Sequence, residues 1–136
     1  VASYRKDVPT LTREEIASSP GALGDPVRAL HNLPGVVRTP FDAGWLLVRG
    51  GDADDTGVYL DGVRIPALFH LGGFASLVHP ALTERVDFTP GAPSARFGRA
   101  TAGAAELRVA PPTGDLAWSA GLNTAFTQGF VRAPLK

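Results

Sequence analysis

Apolar and polar positions change rhythm several times along this chain, and each change marks an element. Residues Val1 to Thr10 show no periodicity and read as a linker. Thr12-Arg13-Glu14-Glu15 has the form of a capping box, in which the Thr12 hydroxyl accepts the Glu15 amide and the Glu15 carboxylate reaches back. The helix it opens is short, because Pro20-Gly21 ends it. A second helix opens at Asp25, with Pro26 at the first helical position, where the missing N–H costs nothing. Val27, Leu30 and His31 then share one face, and Pro34-Gly35 stops the helix.

Past the helices the rhythm becomes that of strands. Trp45-Leu46-Leu47-Val48 reads as a short strand running into Gly50-Gly51. Val58-Tyr59-Leu60 and Val63-Arg64-Ile65 flank Asp61-Gly62, the strongest short-range hairpin signal in the chain. Pro66 to Gly73 reads as a loop, with a helical turn expected over Ala75 to Val78 before Pro80. Val86-Asp87-Phe88-Thr89 is a strand, Pro90 to Gly103 a glycine-studded loop, and Ala104 to Val109 a final strand. Short strands mixed with two short helices and long loops predict an α+β fold with a small mixed sheet.

Beyond Pro111-Pro112 the pattern alternates strictly. Leu116, Trp118, Ala120, Leu122, Thr124 and Phe126 share one face, with small or polar residues between them. A transmembrane β-strand needs about 9–11 residues of this kind with aromatics near its ends. Trp118 and Phe126 suit the two interfaces. A soluble amphipathic strand has the same pattern over one segment, so alternation alone leaves both readings open.

Composition narrows the field. The 136 residues carry 16 Gly and 12 Pro, which favours a loop-rich fold over a helical bundle. A formal charge of +0 gives no case for nucleic acid or an anionic membrane surface. Eleven Arg stand against two Lys, as a high-GC genome would produce and as bidentate pairing with carboxylates would use. Without cysteine, disulfides, thiol catalysis and zinc–thiolate sites are excluded. Methionine is also absent, so the chain is expected to be a processed product or a piece of a longer one. No apolar run approaches the roughly 20 residues of a membrane helix.

Four stretches, in order, carry more information than any one of them: DPVRALHNLPGV, WLLVRGG, TGVYLDGVRIP and ERVDFTPGAPSARFGRATAGAAELRV. This succession closely resembles the plug domain of TonB-dependent outer-membrane receptors, over roughly Leu11 to Val109. The resemblance implies three segments: a linker over 1–10, the plug over 11–109, and a linker with the first barrel strand over 110–136. It also tips the alternating stretch towards a barrel strand. The implied function is a gate that occludes the barrel lumen until substrate binds outside and TonB pulls from the periplasm. Its partners would be its own β-barrel, the energising protein TonB gripping a segment upstream of Val1, and a substrate of unknown identity. A soluble periplasmic binding or interaction module with a plug-like fold is the alternative.

The resemblance also implies site residues. A plug in a charged, water-filled lumen pairs with the wall, and Arg49, Glu84, Arg85, Arg96 and Arg99 are the candidates, with Arg49 favoured as the anchor. Many relatives carry an Arg before the Gly-Pro that follows the ERV strand. Here the residues are Thr89-Pro90-Gly91, leaving Arg96 or Arg99 to substitute. Loops expected to face the substrate carry Arg38, Phe41 and Trp45, and Phe69, His70 and Phe74. For Trp45 and Phe74 a place in the small core is favoured.

No catalytic constellation is present. Asp52-x-Asp54-x-Thr56-Gly57 begins like a calcium loop, but Val63 stands where the bidentate Glu belongs. His31, His70 and His79 lack ligand spacing, so neither metal nor cofactor is expected. GxSxG, HExxH, Walker A and GxGxxG are all missing, and the adjacent Asp54 and Asp55 do not converge across a cleft. An enzyme is not expected.

Overall fold

The computed structural model describes residues 8–38, 45–66, 69–70, 75–111, 114–122 and 127–134. In chain order, β1 (Thr10–Thr12) leads directly into α1 (Arg13–Ser18), and α2 (Pro26–Ala29) continues as a 3-10 turn over Leu30–Asn32. Three small antiparallel pairs follow: β2 (Val36–Val37) with β3 (Leu47–Val48), β4 (Thr56–Leu60) with β5 (Val63–Arg64), and β6 (Phe69–His70) with β7 (Ala75–Ser76). The long strands β8 (Thr83–Pro90) and β9 (Gly103–Val109) come next, and β10 (Ala117–Leu122) and β11 (Thr127–Arg132) close the described chain.

Five strands assemble into the main sheet in the order β1-β8-β9-β4-β5. Only β4 and β9 run parallel, pairing from Thr56↔Gly103 to Leu60↔Leu107. One face of this sheet is the core. Val86, Phe88, Ala105, Leu107 and Val58 are fully buried there against Ile16 of α1, Val27 and Leu30 of α2, and Leu46 and Val48. The alternate residues of the same strands, Arg85, Asp87, Glu106, Arg108 and Tyr59, belong to the opposite face.

Local chemistry fixes the elements as their residues dictate. Thr12 and Glu15 form the reciprocal capping box, with the Glu15 amide 3.3 Å from Thr12 Oγ1 and the Thr12 amide 2.8 Å from Glu15 Oε2. Asp61 and Gly62 both have positive φ, 45° and 86°, as a two-residue turn matched to strand twist requires. Gly57 has no room for a side chain, because the Tyr59 ring lies over it and an added Cβ would come within 2.5 Å of Cε2.

Several elements depart from the sequence reading. The linker ends early, because Thr10 already belongs to β1 and pairs with Asp87. Ala75–Ser76 is a strand and no helical turn, and Phe69–His70, read as loop, is its partner. Two-residue strands carry no periodicity to detect. Leu122 and Thr127 are antiparallel partners, so the stretch from Leu116 to Thr127 spans two strands and cannot be one. The face held by even-numbered residues in β10 passes to odd-numbered ones in β11, because Leu122 pairs with Thr127 and Trp118 with Val131. Phe126 lies outside the described residues. Trp118, 75% exposed, faces out beside its cross-strand partner Val131 at 72%. Phe130, which points the other way, stacks on His79 with ring centroids 5.1 Å apart.

Two outcomes follow. Gly57→Ala forces the buried Tyr59 ring to move, and should destabilise the chain by about 1–3 kcal/mol as overpacking does, read as a lower urea midpoint. An unchanged midpoint would mean that the ring has space elsewhere. His79 titrates with the opposite sign to an ion-paired histidine. Burial holds it below its ordinary value of 6.5, and its Nδ1 accepts the Ala81 amide at 3.1 Å. Above 6.5 both folded and unfolded forms are neutral. As pH falls below that value the unfolded chain takes up the proton first, so stability declines until the folded value is reached. The decline should be shallower in His79→Asn, which keeps a capping acceptor without the titration.

Candidate functional site

The face of the main sheet that turns away from the core is built on charge. Asp87 and Glu106 are direct cross-strand partners, as are Arg85 and Arg108. Like charges placed opposite one another repel, so this arrangement holds only because the pairs interleave. Arg108 Nη2 lies 2.9 Å from Glu106 Oε2, and its Nε lies 3.7 Å from Asp87 Oδ2. Arg85 closes on Asp87 at 3.4 Å, and the Thr10 hydroxyl donates to Asp87 at 3.0 Å.

Glu106 is the innermost of these groups, with a side chain only 3% exposed. A second arginine reaches it from the segment between β8 and β9: Arg96 Nη2 stands 2.6 Å from the same Oε2. The Arg96 guanidinium also lies over the Phe97 ring, 4.3 Å from its centroid. Phe97 packs on Tyr59 at 4.8 Å, and the Tyr59 hydroxyl donates to the Gly98 carbonyl at 3.0 Å. The other end of this segment is tied to Asp55, whose carboxylate accepts from the Thr101 hydroxyl at 2.8 Å and from the Asp52 amide at 3.0 Å. Those two bonds, Thr101 first, hold the Asp55 carboxyl below the usual carboxylate range. The acidic run read as a failed calcium loop is therefore a turn that pins residues 101 and 102. Among the described residues no cluster of three or more metal-ligating side chains occurs.

Arg49 behaves differently from Arg96. It sits at φ 49° beside Gly50 at φ 79°, in the tight turn that ends β3, and its amide donates to the Gly35 carbonyl at 2.9 Å. Left-handed backbone is costly for a residue with a Cβ, and such outliers gather where function requires them. Its side chain runs across Gly35 and Gly91. An added Cβ at Gly91 would stand 2.9 Å from the guanidinium. Among the described residues no carboxylate pairs with it. Gly91 follows Thr89-Pro90, so the Arg49 guanidinium lies beside the end of β8. Arg99 shares the left-handed backbone, at φ 61°, and is exposed. Glu84 falls at the β-bulge between Thr83 and Arg85, which turns it outward into solvent. An open groove of about 430 Å³ beside it is lined by Arg13, Glu14, Arg85, Pro111 and Arg132.

The residues expected to face a substrate are only partly described. Trp45 is 60% exposed and takes no place in the core, contrary to the favoured reading of it. It lies just before the two-residue strand β3, whose next-door Leu46 fills the core instead. Arg38 is exposed and hydrogen-bonds Asn32 Oδ1. Phe69 and His70 stand in β6, paired with Ser76 and Ala75. Phe41 and Phe74 lie outside the described residues. Sequence reasoning overlooked Asp87, Glu106 and Arg108. The i, i+2 spacing of charges in ERVD and ELR was the available signal, since it places Arg85 with Asp87 and Glu106 with Arg108 on one strand face.

Known proteins share this architecture. The family profile described as "TonB-dependent Receptor Plug Domain" matches residues 2–105. The siderophore receptor PirA of Pseudomonas aeruginosa is similar in structure, with a TM-score of 0.61 and 24% identity, covering 83% of this chain and 21% of that one. The ferric enterobactin receptor PfeA of the same organism has a TM-score of 0.64 and 18% identity, over 94% of this chain and 22% of that one. The alcaligin outer-membrane receptor FauA of Bordetella pertussis has a TM-score of 0.59 and 22% identity, over 83% and 20%. At these identities the likeness is one of fold, and the chain spans about a fifth of each receptor's length. No curated protein matches the sequence. A family match over more than half of the residues, joined to a mixed sheet with two short helices, makes this chain a member of the TonB-dependent receptor plug domain family.

Proposed function

We propose that this chain is the gate of a TonB-dependent outer-membrane receptor, with residues 11–109 as the plug and 110–136 as the start of its barrel. The observation that carries the reading is the two-faced hairpin β10–β11. Leu116, Trp118 and Val131 are 67%, 75% and 72% exposed on one side, while Phe130 docks on His79 of the plug on the other. An apolar face turned away from the domain it packs against suits a lipid-facing barrel wall. A soluble periplasmic module, the alternative, would leave that face and the hairpin edges open to aggregation. In the gate, Arg49, Glu84, Arg85, Arg96 and Arg99 are the plug's contacts to the wall. Arg49 is the anchor, because its charge lacks a carboxylate among the described residues. Arg96 and Arg85 already hold internal partners and contribute less. The loops carrying Arg38, Phe41 and Trp45, and Phe69, His70 and Phe74, meet the arriving substrate. TonB pulls on the plug from the periplasm.

Two experiments test the proposal. In the full receptor, Arg49→Ala leaves a barrel carboxylate uncompensated, at about 3–5 kcal/mol of docking where that pair is buried. Cells carrying it should admit a large hydrophilic antibiotic without TonB, and wild-type permeability would reduce Arg49 to a surface residue. A chain ending at Pro111 should also stay in solution at concentrations where the 136-residue chain aggregates. Equal solubility of the two would argue against a membrane-facing hairpin.

A further inference from the structure

Asp25 is a buried carboxylate that the gate reading leaves unused. Its Oδ1 accepts the amides of Val27 at 2.9 Å and Arg28 at 3.0 Å, capping α2. Its Oδ2 accepts a third amide from a distant part of the chain, that of Ser76 in β7, at 3.1 Å. The Asp25 backbone is held as firmly, donating to the Ala22 carbonyl at 2.9 Å and accepting from Ala29 at 3.0 Å. Ser76 in turn donates its hydroxyl to the Val78 carbonyl at 2.9 Å, and Val78 is a core residue. Among the described residues, β6 and β7 pair with each other and with no other strand. The Asp25–Ser76 bond is therefore a polar tie between β7 and the start of helix α2.

We infer that Asp25 is a positioning residue, a latch that fixes the β6–β7 hairpin on the end of helix α2. The two carboxylate oxygens divide the work, one closing the helix and the other holding the hairpin. Because both belong to one planar group, the hairpin cannot shift on β7 without disturbing the cap. The inference rests on the gate reading in one respect, namely that the hairpin carries Phe69 and His70 towards the substrate. The latch itself is a property of the fold.

The division of labour makes it testable. In Asp25→Asn the amide oxygen still accepts from Val27 and Arg28, but the amide nitrogen meets the Ser76 N–H, donor against donor. In Asp25→Ser a good cap remains, and the shorter side chain does not reach Ser76. Hydrogen exchange of the full receptor, resolved at single amides, reads both. The Ser76 amide should exchange about tenfold faster or more in each variant, while Val27, Arg28, Phe88 and Leu107 keep wild-type rates. Exchange at Ser76 that stays at the wild-type rate in both variants overturns the latch. So does loss of protection in the core strands of both, which would make Asp25 a general stability residue. Permeability separates this from the gate reading. The Asp25 variants should stay as tight as wild type, and leakage equal to that of Arg49→Ala would reassign Asp25 to docking. Conversely, a tight Arg49→Ala receptor with a fast-exchanging Ser76 would leave the latch standing and sink the anchor.

Discussion

Asp87 and Glu106 face each other across the central pair of strands, one of them with a side chain only 3% exposed, and Arg108 stands between them in contact with both. Two carboxylates at cross-strand distance repel, and a buried one carries a desolvation cost of several kcal/mol that only close cations offset. Arg96 supplies the second cation and brings with it the segment between β8 and β9. The same backbone that buries Val86, Phe88, Ala105 and Leu107 on one side thus organises a charge ladder on the other. Strand alternation makes the two faces inseparable, since a slip of one residue would exchange them.

The rest of the domain follows from which face each element serves. Helices α1 and α2 are too short to be stable alone, and their caps and the core face hold them. The segment from Gly91 to Ala102 is tied at both ends, to Tyr59 and Glu106 through residues 96–98 and to Asp55 through Thr101 and Ala102. By contrast β1 adds only three residues to the sheet edge, and among the described residues β6–β7 pairs with no other strand and is tied to α2 by the Asp25 carboxylate. Attachment is therefore uneven. A firmly pinned sheet carries lightly held elements at the N-terminal edge and at the β6–β7 hairpin. In the proposed gate such a distribution suits remodelling, because low-stability elements are the ones that move.

The arginines illustrate how one residue type takes different roles by position. Arg96 and Arg108 each bring an Nη2 to the same buried Glu106 Oε2, where a charge-assisted contact is worth most. Arg49 is placed on left-handed backbone with its side chain across Gly35 and Gly91, and it is exposed. The wall-facing candidates read from the sequence thus divide into groups already satisfied and groups still seeking a partner.

What the sequence determined alone was the local chemistry and the family. The Thr12–Glu15 box, the Asp25-Pro26 helix start, the Asp61-Gly62 turn and the alternation after Leu116 each depend on residues within a few positions, so short-range rules suffice to read them. The ordered motifs carried the plug assignment for the same reason. Tertiary structure alone decided what depends on distant partners. The parallel pairing of β4 with β9, the pairing of two-residue strands, the exposure of Trp45, and the reversal between Leu122 and Thr127 leave no local trace. Glu106 reads as an ordinary strand charge until Arg96 and Arg108 converge on it, and Asp25 as an ordinary cap until Ser76 arrives from fifty-one positions away. Burial and pairing are properties of a fold, and a side chain's role in it is set by neighbours the sequence does not place beside it.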